Sequence, residues 1–140
     1  MVARVRRSCG PAFAALALCL ASPAQPVLSP QDRTLARDVF RQLIETNTTH
    51  SVGTTTVAAE AMRKRLLDAG FPAHDMEVIG SDARHGNLVV RYRGAAGTAK
   101  KPVLIIGHLD VVEAKREDWT TDPFQFVEKD GYFYGRGRRT

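Results

Sequence analysis

Cysteine is nearly missing from this 140-residue chain: the two present, Cys9 and Cys19, both fall within the first 24 residues. If that segment is removed on export, the remainder has no thiol. Disulfides and cysteine–metal sites are then excluded, and any metal is left to histidine and carboxylate. Acidic residues are missing from the same segment, Asp32 being the first in the chain. Setting aside Arg4, Arg6 and Arg7 from the 20 basic residues leaves 17 against 15 acidic ones. That balance is too even for a nucleic-acid surface, despite the net charge of +5. No Gly-x-Gly-x-x-Gly, phosphate loop or Gly-x-Ser-x-Gly occurs, so dinucleotide, nucleotide and serine-hydrolase chemistry find no support. Beyond the first two dozen residues there is no long apolar run, which excludes a multi-span membrane protein. Repeats and low-complexity tracts are also lacking. At 44% hydrophobic the chain can bury a core, and its length suits one domain or a piece of a larger one.

What is present begins with a leader. Three arginines precede an apolar run of about ten residues, Ala12 to Ala21, against the roughly 20 that span a bilayer. Small residues Ser22-Pro23-Ala24 follow. This order reads as a secretory signal peptide over residues 1–24, cut after Ala21 or Ala24. The mature chain, from about residue 25 to residue 140, is expected to be exported to the periplasm or the extracellular space, with no stable membrane insertion. Arg6-Arg7 lacks the apolar residue that usually follows a twin-arginine pair. Leu18 before Cys19 argues against a lipoprotein signal.

Two helices should follow. Ser29-Pro30-Gln31-Asp32 is a helix start, and Leu35, Val39, Phe40, Leu43 and Ile44 recur at helical spacing. A second helix is expected from about Thr55 to Ala69, with Ala58, Met62 and Leu66 on one side, ended by Gly70 and Pro72. Strands are expected over Met76–Ile79, over Asn87–Arg93 by its alternation, and over Pro102–Gly107, apolar on both faces as a covered central strand would be. Gly94 to Lys101 reads as a polar turn. Phe124–Val127 and Tyr132–Tyr134 flank Asp130-Gly131, a two-residue hairpin turn. The class is α/β or α+β.

Chemistry concentrates in Gly107-His108-Leu109-Asp110-Val111-Val112. His108 stands where the most apolar strand runs out, the end at which ligands collect in open sheets. On extended backbone, residues 108 and 110 point to one side. Such a pair suits a metal-bound imidazole, His108, oriented by a carboxylate, Asp110. So short a motif is common, and on its own a surface histidine beside a turn-capping Asp110 is the simpler account. His50, His74 and His85 read as solvated loop residues. Glu113, Glu117 and Asp118 belong to a polar loop, and Trp119, Phe124 and Phe126 anchor it by packing.

The order of four motifs changes that weighting. Gly107-His108-Leu109-Asp110-Val111-Val112, Trp119, Asp122-Pro123-Phe124 and Asp130-Gly131-Tyr132-Phe133-Tyr134-Gly135-Arg136-Gly137 together resemble one family. It is the dinuclear-zinc peptidase and deacylase family of carboxypeptidase G, aminoacylase, acetylornithine deacetylase and succinyl-diaminopimelate desuccinylase. The resemblance covers roughly residues 30 to 137. It implies the N-terminal part of a zinc-peptidase catalytic domain, an incomplete mixed sheet flanked by helices.

The resemblance further implies His108 as first zinc ligand and Asp110 as the catalytic acid that steers the imidazole. In intact relatives two Zn²⁺ activate a water that attacks the amide carbon of a peptide or N-acyl amino acid, with a glutamate carrying the proton. Where the family has Gly-Arg-Gly, two residues and then an Asp bridging both metals, this sequence has Thr140 at the Asp position. The expectation is therefore a fragment holding one ligand and one orienting acid, weak in zinc and without amidase activity. The alternative is a non-catalytic, truncated or frameshifted gene product. A slip of reading frame at Arg138-Arg139-Thr140 is expected, because codons of the form CGN-CGG-ACN read one base earlier end in Asp.

Overall fold

The computed structural model describes residues 27–97 and 99–136. The leader segment 1–24 and the terminal Gly137 to Thr140 lie outside the described residues. The first helix, α1, runs Pro30–Glu45. Ser29 caps it: its hydroxyl accepts from the Asp32 N–H at 3.1 Å and donates to the Asp32 carboxylate at 2.7 Å. The second helix, α2, runs Thr55–Asp68, with Thr54 as its cap. Its end is closed by Gly70 at φ 87° and by the Phe71 N–H on the Leu66 carbonyl at 2.9 Å. Ala58 and Ala59 are buried, with Met62 and Leu66 half-buried beside them.

Helix α2 packs on a hairpin of β1, Met76–Gly80, and β2, Gly86–Val90, paired antiparallel from Met76–Val90 to Gly80–Gly86. β1 runs one residue past the expected end, while β2 stops at Val90 instead of Arg93. β1 has no residue left to pair beyond Met76. The Arg91 N–H reaches the Asp75 carbonyl, and the Arg93 guanidinium turns to the buried Asp75 carboxylate. Gly86 is required by the packing, since a Cβ there would run into Thr56 of α2.

A second hairpin joins β3, Val127–Lys129, to β4, Tyr132–Tyr134. Asp130 and Gly131 form the expected turn with φ of 54° and 79°. β3 begins later than expected because Asp122 makes a turn first. Its carboxylate accepts from the Phe124 N–H at 2.8 Å, and its carbonyl accepts from Gln125 at 3.2 Å. This hairpin lies on α1: Phe126 and Phe133 meet Phe40 edge-on at ring distances of 5.7 and 5.9 Å. Arg37 pairs with Glu128.

The mixture of helix and strand is compatible with an α/β protein, but no mixed sheet forms among the described residues. Pro102–Gly107, expected as the buried central strand, is not a strand. Val103, Leu104, Ile105 and Ile106 are 83–88% exposed. Each hairpin strand already has its partner, and no third strand lies beside this segment. Among the described residues the one parallel pairing is an isolated bridge between Thr49 and Val111.

Candidate functional site

His108 and Asp110 come together as the spacing predicted. The His108 Nδ1 lies 2.9 Å from the Asp110 carbonyl and 3.3 Å from its Oδ1. A carbonyl only accepts, so in this contact Nδ1 is the donor. Both side chains are open to solvent, 61% and 72% exposed. That leaves Nε2 available to an incoming group. Gly107, His108 and Asp110 border a cavity of about 210 Å³ that Phe40, Ile44 and Ala58 also line.

The polar stretch between the helices holds this loop in place. The Thr48 hydroxyl donates to the Leu109 carbonyl at 2.7 Å, and the Val111 N–H reaches the Thr48 carbonyl at 3.4 Å. Thr48 and Thr49 are both buried. The Asn47 side chain accepts from the Thr49 N–H and hydroxyl, and the chain then folds back to Gly53. A Cβ at Gly53 would collide with Thr49 and Asn47 backbone, so the turn requires glycine. Ser51 donates from both N–H and hydroxyl to the Glu113 carboxylate at 2.9 Å. These bonds hold the Glu113 carboxyl below its ordinary range.

Arg136 ties the separate motifs together. Its guanidinium donates to the carbonyls of Val112 and Glu113 at 2.9 and 3.1 Å and lies 5.9 Å from the centre of the Trp119 ring. Its own N–H meets the carbonyl of buried Pro123. Residues from the His-x-Asp, Trp, Asp-Pro-Phe and Gly-Arg-Gly stretches thus share one contact network. In the sequence Arg136 stands out only as the middle of Gly135-Arg136-Gly137. The signal available was an arginine between two glycines, of which Gly135 has no room for a Cβ beside the Ile44 side chain.

The other histidines are less bland than loop residues. His85 Nδ1 lies 2.8 Å from both Asp82 oxygens, and its ring stands 6.1 Å from that of His50. The Arg84 and His85 N–H groups and the His85 ring lower the Asp82 carboxyl. Arg84 spends its guanidinium on the carbonyls of His50, Ser51 and Gly53, locking the turn to the β1–β2 connection. His74 lies 3.8 Å from Asp75. Among the described residues no group of three His, Cys, Asp or Glu is placed to hold a metal ion.

Comparison with known proteins agrees with the motif order. The chain is 41% identical over 80 residues to succinyl-diaminopimelate desuccinylase of Ralstonia nicotianae, covering 56% of this chain and 21% of that protein. It is 32% identical over 114 residues to a probable succinyl-diaminopimelate desuccinylase of Staphylococcus epidermidis, covering 79% and 25%. Against aminoacylase-1 of Sus scrofa it is 31% identical over 100 residues, covering 71% and 24%. No family model and no solved structure matches the chain. The relatives it matches are all members of the zinc peptidase and deacylase family, and the chain spans a fifth to a quarter of their length.

Proposed function

We propose that these residues provide the first zinc-ligand position of a hydrolase acting on peptide or N-acyl amino acid amide bonds. The observation that carries the reading is the placing of His108: Nδ1 lies 2.9 Å from the Asp110 carbonyl and 3.3 Å from a carboxylate oxygen, on a side chain open to solvent. That contact can hold the plane of the ring. Thr48, Ser51–Glu113 and Arg136 keep the loop rigid, so the ligand needs no reordering. Zinc, when bound, supplies Lewis acidity toward the substrate carbonyl and toward water. The remaining ligands come from outside the described residues, since catalytic zinc uses three protein ligands. In this reading the domain is the leading part of a metallopeptidase catalytic domain, the leader segment exports it, and two Zn²⁺ serve the intact site.

Calorimetry of the 140-residue chain with Zn²⁺ tests this. Weak binding that His108→Ala abolishes is expected, with no hydrolysis of N-acyl amino acids by these residues alone. Binding unchanged in His108→Ala would overturn the assignment.

A further inference from the structure

The connection between β1 and β2 is fixed by Asp82, whose carboxylate accepts from the Arg84 N–H at 2.8 Å and the His85 N–H at 3.1 Å. Arg84, so placed, has two separate tasks. Its backbone carbonyl closes the start of α2, accepting from the Thr55 N–H at 3.0 Å and the Thr54 hydroxyl at 2.8 Å. Its side chain reaches the other way. Nη2 lies 2.9, 3.2 and 2.7 Å from the carbonyl oxygens of His50, Ser51 and Gly53, and Nε donates to Gly53 at 3.3 Å. Three carbonyl dipoles that converge on one point repel each other unless a cation sits among them, and bonds from a charged donor are the stronger kind. The guanidinium is what lets this turn close.

The 109–113 segment hangs on the same turn. Thr48 bonds Leu109 and Val111, Thr49 bridges to Val111, and Ser51 holds the Glu113 carboxylate. His108 stands one residue before this segment. Among the described residues the hydrogen bonds of the Arg84 side chain go to the turn, and none goes to His108 or Asp110. We infer that Arg84 is a positioning residue for His108, acting from the β1–β2 connection through the carbonyls of residues 50–53. The inference rests on His108 being the zinc-ligand position.

Arg84→Ala tests it in the 140-residue chain, since it removes the guanidinium and keeps the carbonyl that closes α2. Hydrogen exchange at the Gly53 and Val111 amides, which bond Thr49 and Thr48, should become faster by roughly tenfold as the turn opens locally. The His108 ring should respond to Zn²⁺ only at about tenfold higher concentration, as when a group that orients a ligand is lost. Helical circular dichroism should stay as it was. Ethylguanidinium, added at millimolar levels, should restore both readouts by refilling the space among the carbonyls, and Arg84→Lys should retain part of them, having the charge without the fork. Exchange is read without zinc, so it still decides the part played by Arg84 if His108→Ala leaves zinc binding unchanged. Exchange and zinc response indifferent to Arg84→Ala would overturn the inference. So would loss of helical signal together with both readouts, or a variant that ethylguanidinium leaves unrepaired.

Discussion

The α2–β1–β2 unit and the 102–107 segment differ in a way composition does not anticipate. The unit is built around small and polar residues, with Ala58, Ala59, Asp75, Met76 and Gly86 buried. The segment Val103-Leu104-Ile105-Ile106 is far more apolar, yet is 83–88% exposed. Apolar character creates a demand for burial. It is met only where neighbouring elements supply a surface and paired backbone. In the unit, α2 lies across a hairpin whose strands complete each other's hydrogen bonds. The segment has neither a paired strand nor a covering helix.

The largest effect that sharpens this contrast should come from Ala59, which is fully buried. Ala59→Leu overpacks the contact between α2 and its neighbours and should lower stability by about 1–3 kcal/mol, read from urea unfolding. A neutral result would mean that α2 does not pack tightly. Thr54→Ala comes next. It removes both the α2 cap and the hydroxyl bond to the Arg84 carbonyl at 2.8 Å, and should cost about 1 kcal/mol.

Acid titration probes the same unit. The Arg93 guanidinium holds the Asp75 carboxyl below its ordinary 3.8. A depressed folded-state pKa means the pair stabilises the fold above 3.8, and that contribution fades as pH falls from there through the lower folded value. Asp82 and Glu113 are shifted the same way and add to the acid limb. Asp75→Asn should therefore destabilise the protein at neutral pH and flatten the loss of stability below pH 3.8, seen as a shallower acid-unfolding curve. The smallest effect belongs to the exposed segment: Ile105→Ser should change folding stability by no more than about 0.5 kcal/mol. A loss like that of a core residue would show that the segment is buried after all.

Local chemistry was legible from the residues. Ser29, Pro30 and Asp32 announced α1, Gly70 and Pro72 closed α2, and Asp130-Gly131 set a hairpin. Each acts within a few residues, where side chain and backbone decide together. Strand boundaries were less legible because they depend on the partner. β2 ends where β1 has nothing left to offer, and β3 waits for the Asp122 turn to finish. The central strand failed for the same reason on a larger scale. Its apolar pattern is real, but pairing is a property of two segments. At the candidate site, the spacing of His108 and Asp110 predicted their meeting. The threonine loop and Arg136 that hold them were not readable, since their bonds to residues 109–113 join positions 23 to 63 apart.

The account rests on His108 being the ligand that Asp110 prepares. Long-range ¹H–¹⁵N spectra of the histidine rings during Zn²⁺ titration test it most directly. The prediction is a His108 ring protonated at Nδ1 before zinc is added, with the weak response to zinc falling on its Nε2. Tight uptake of two ions per chain, or a response at His50 and His85 with His108 silent, would contradict it.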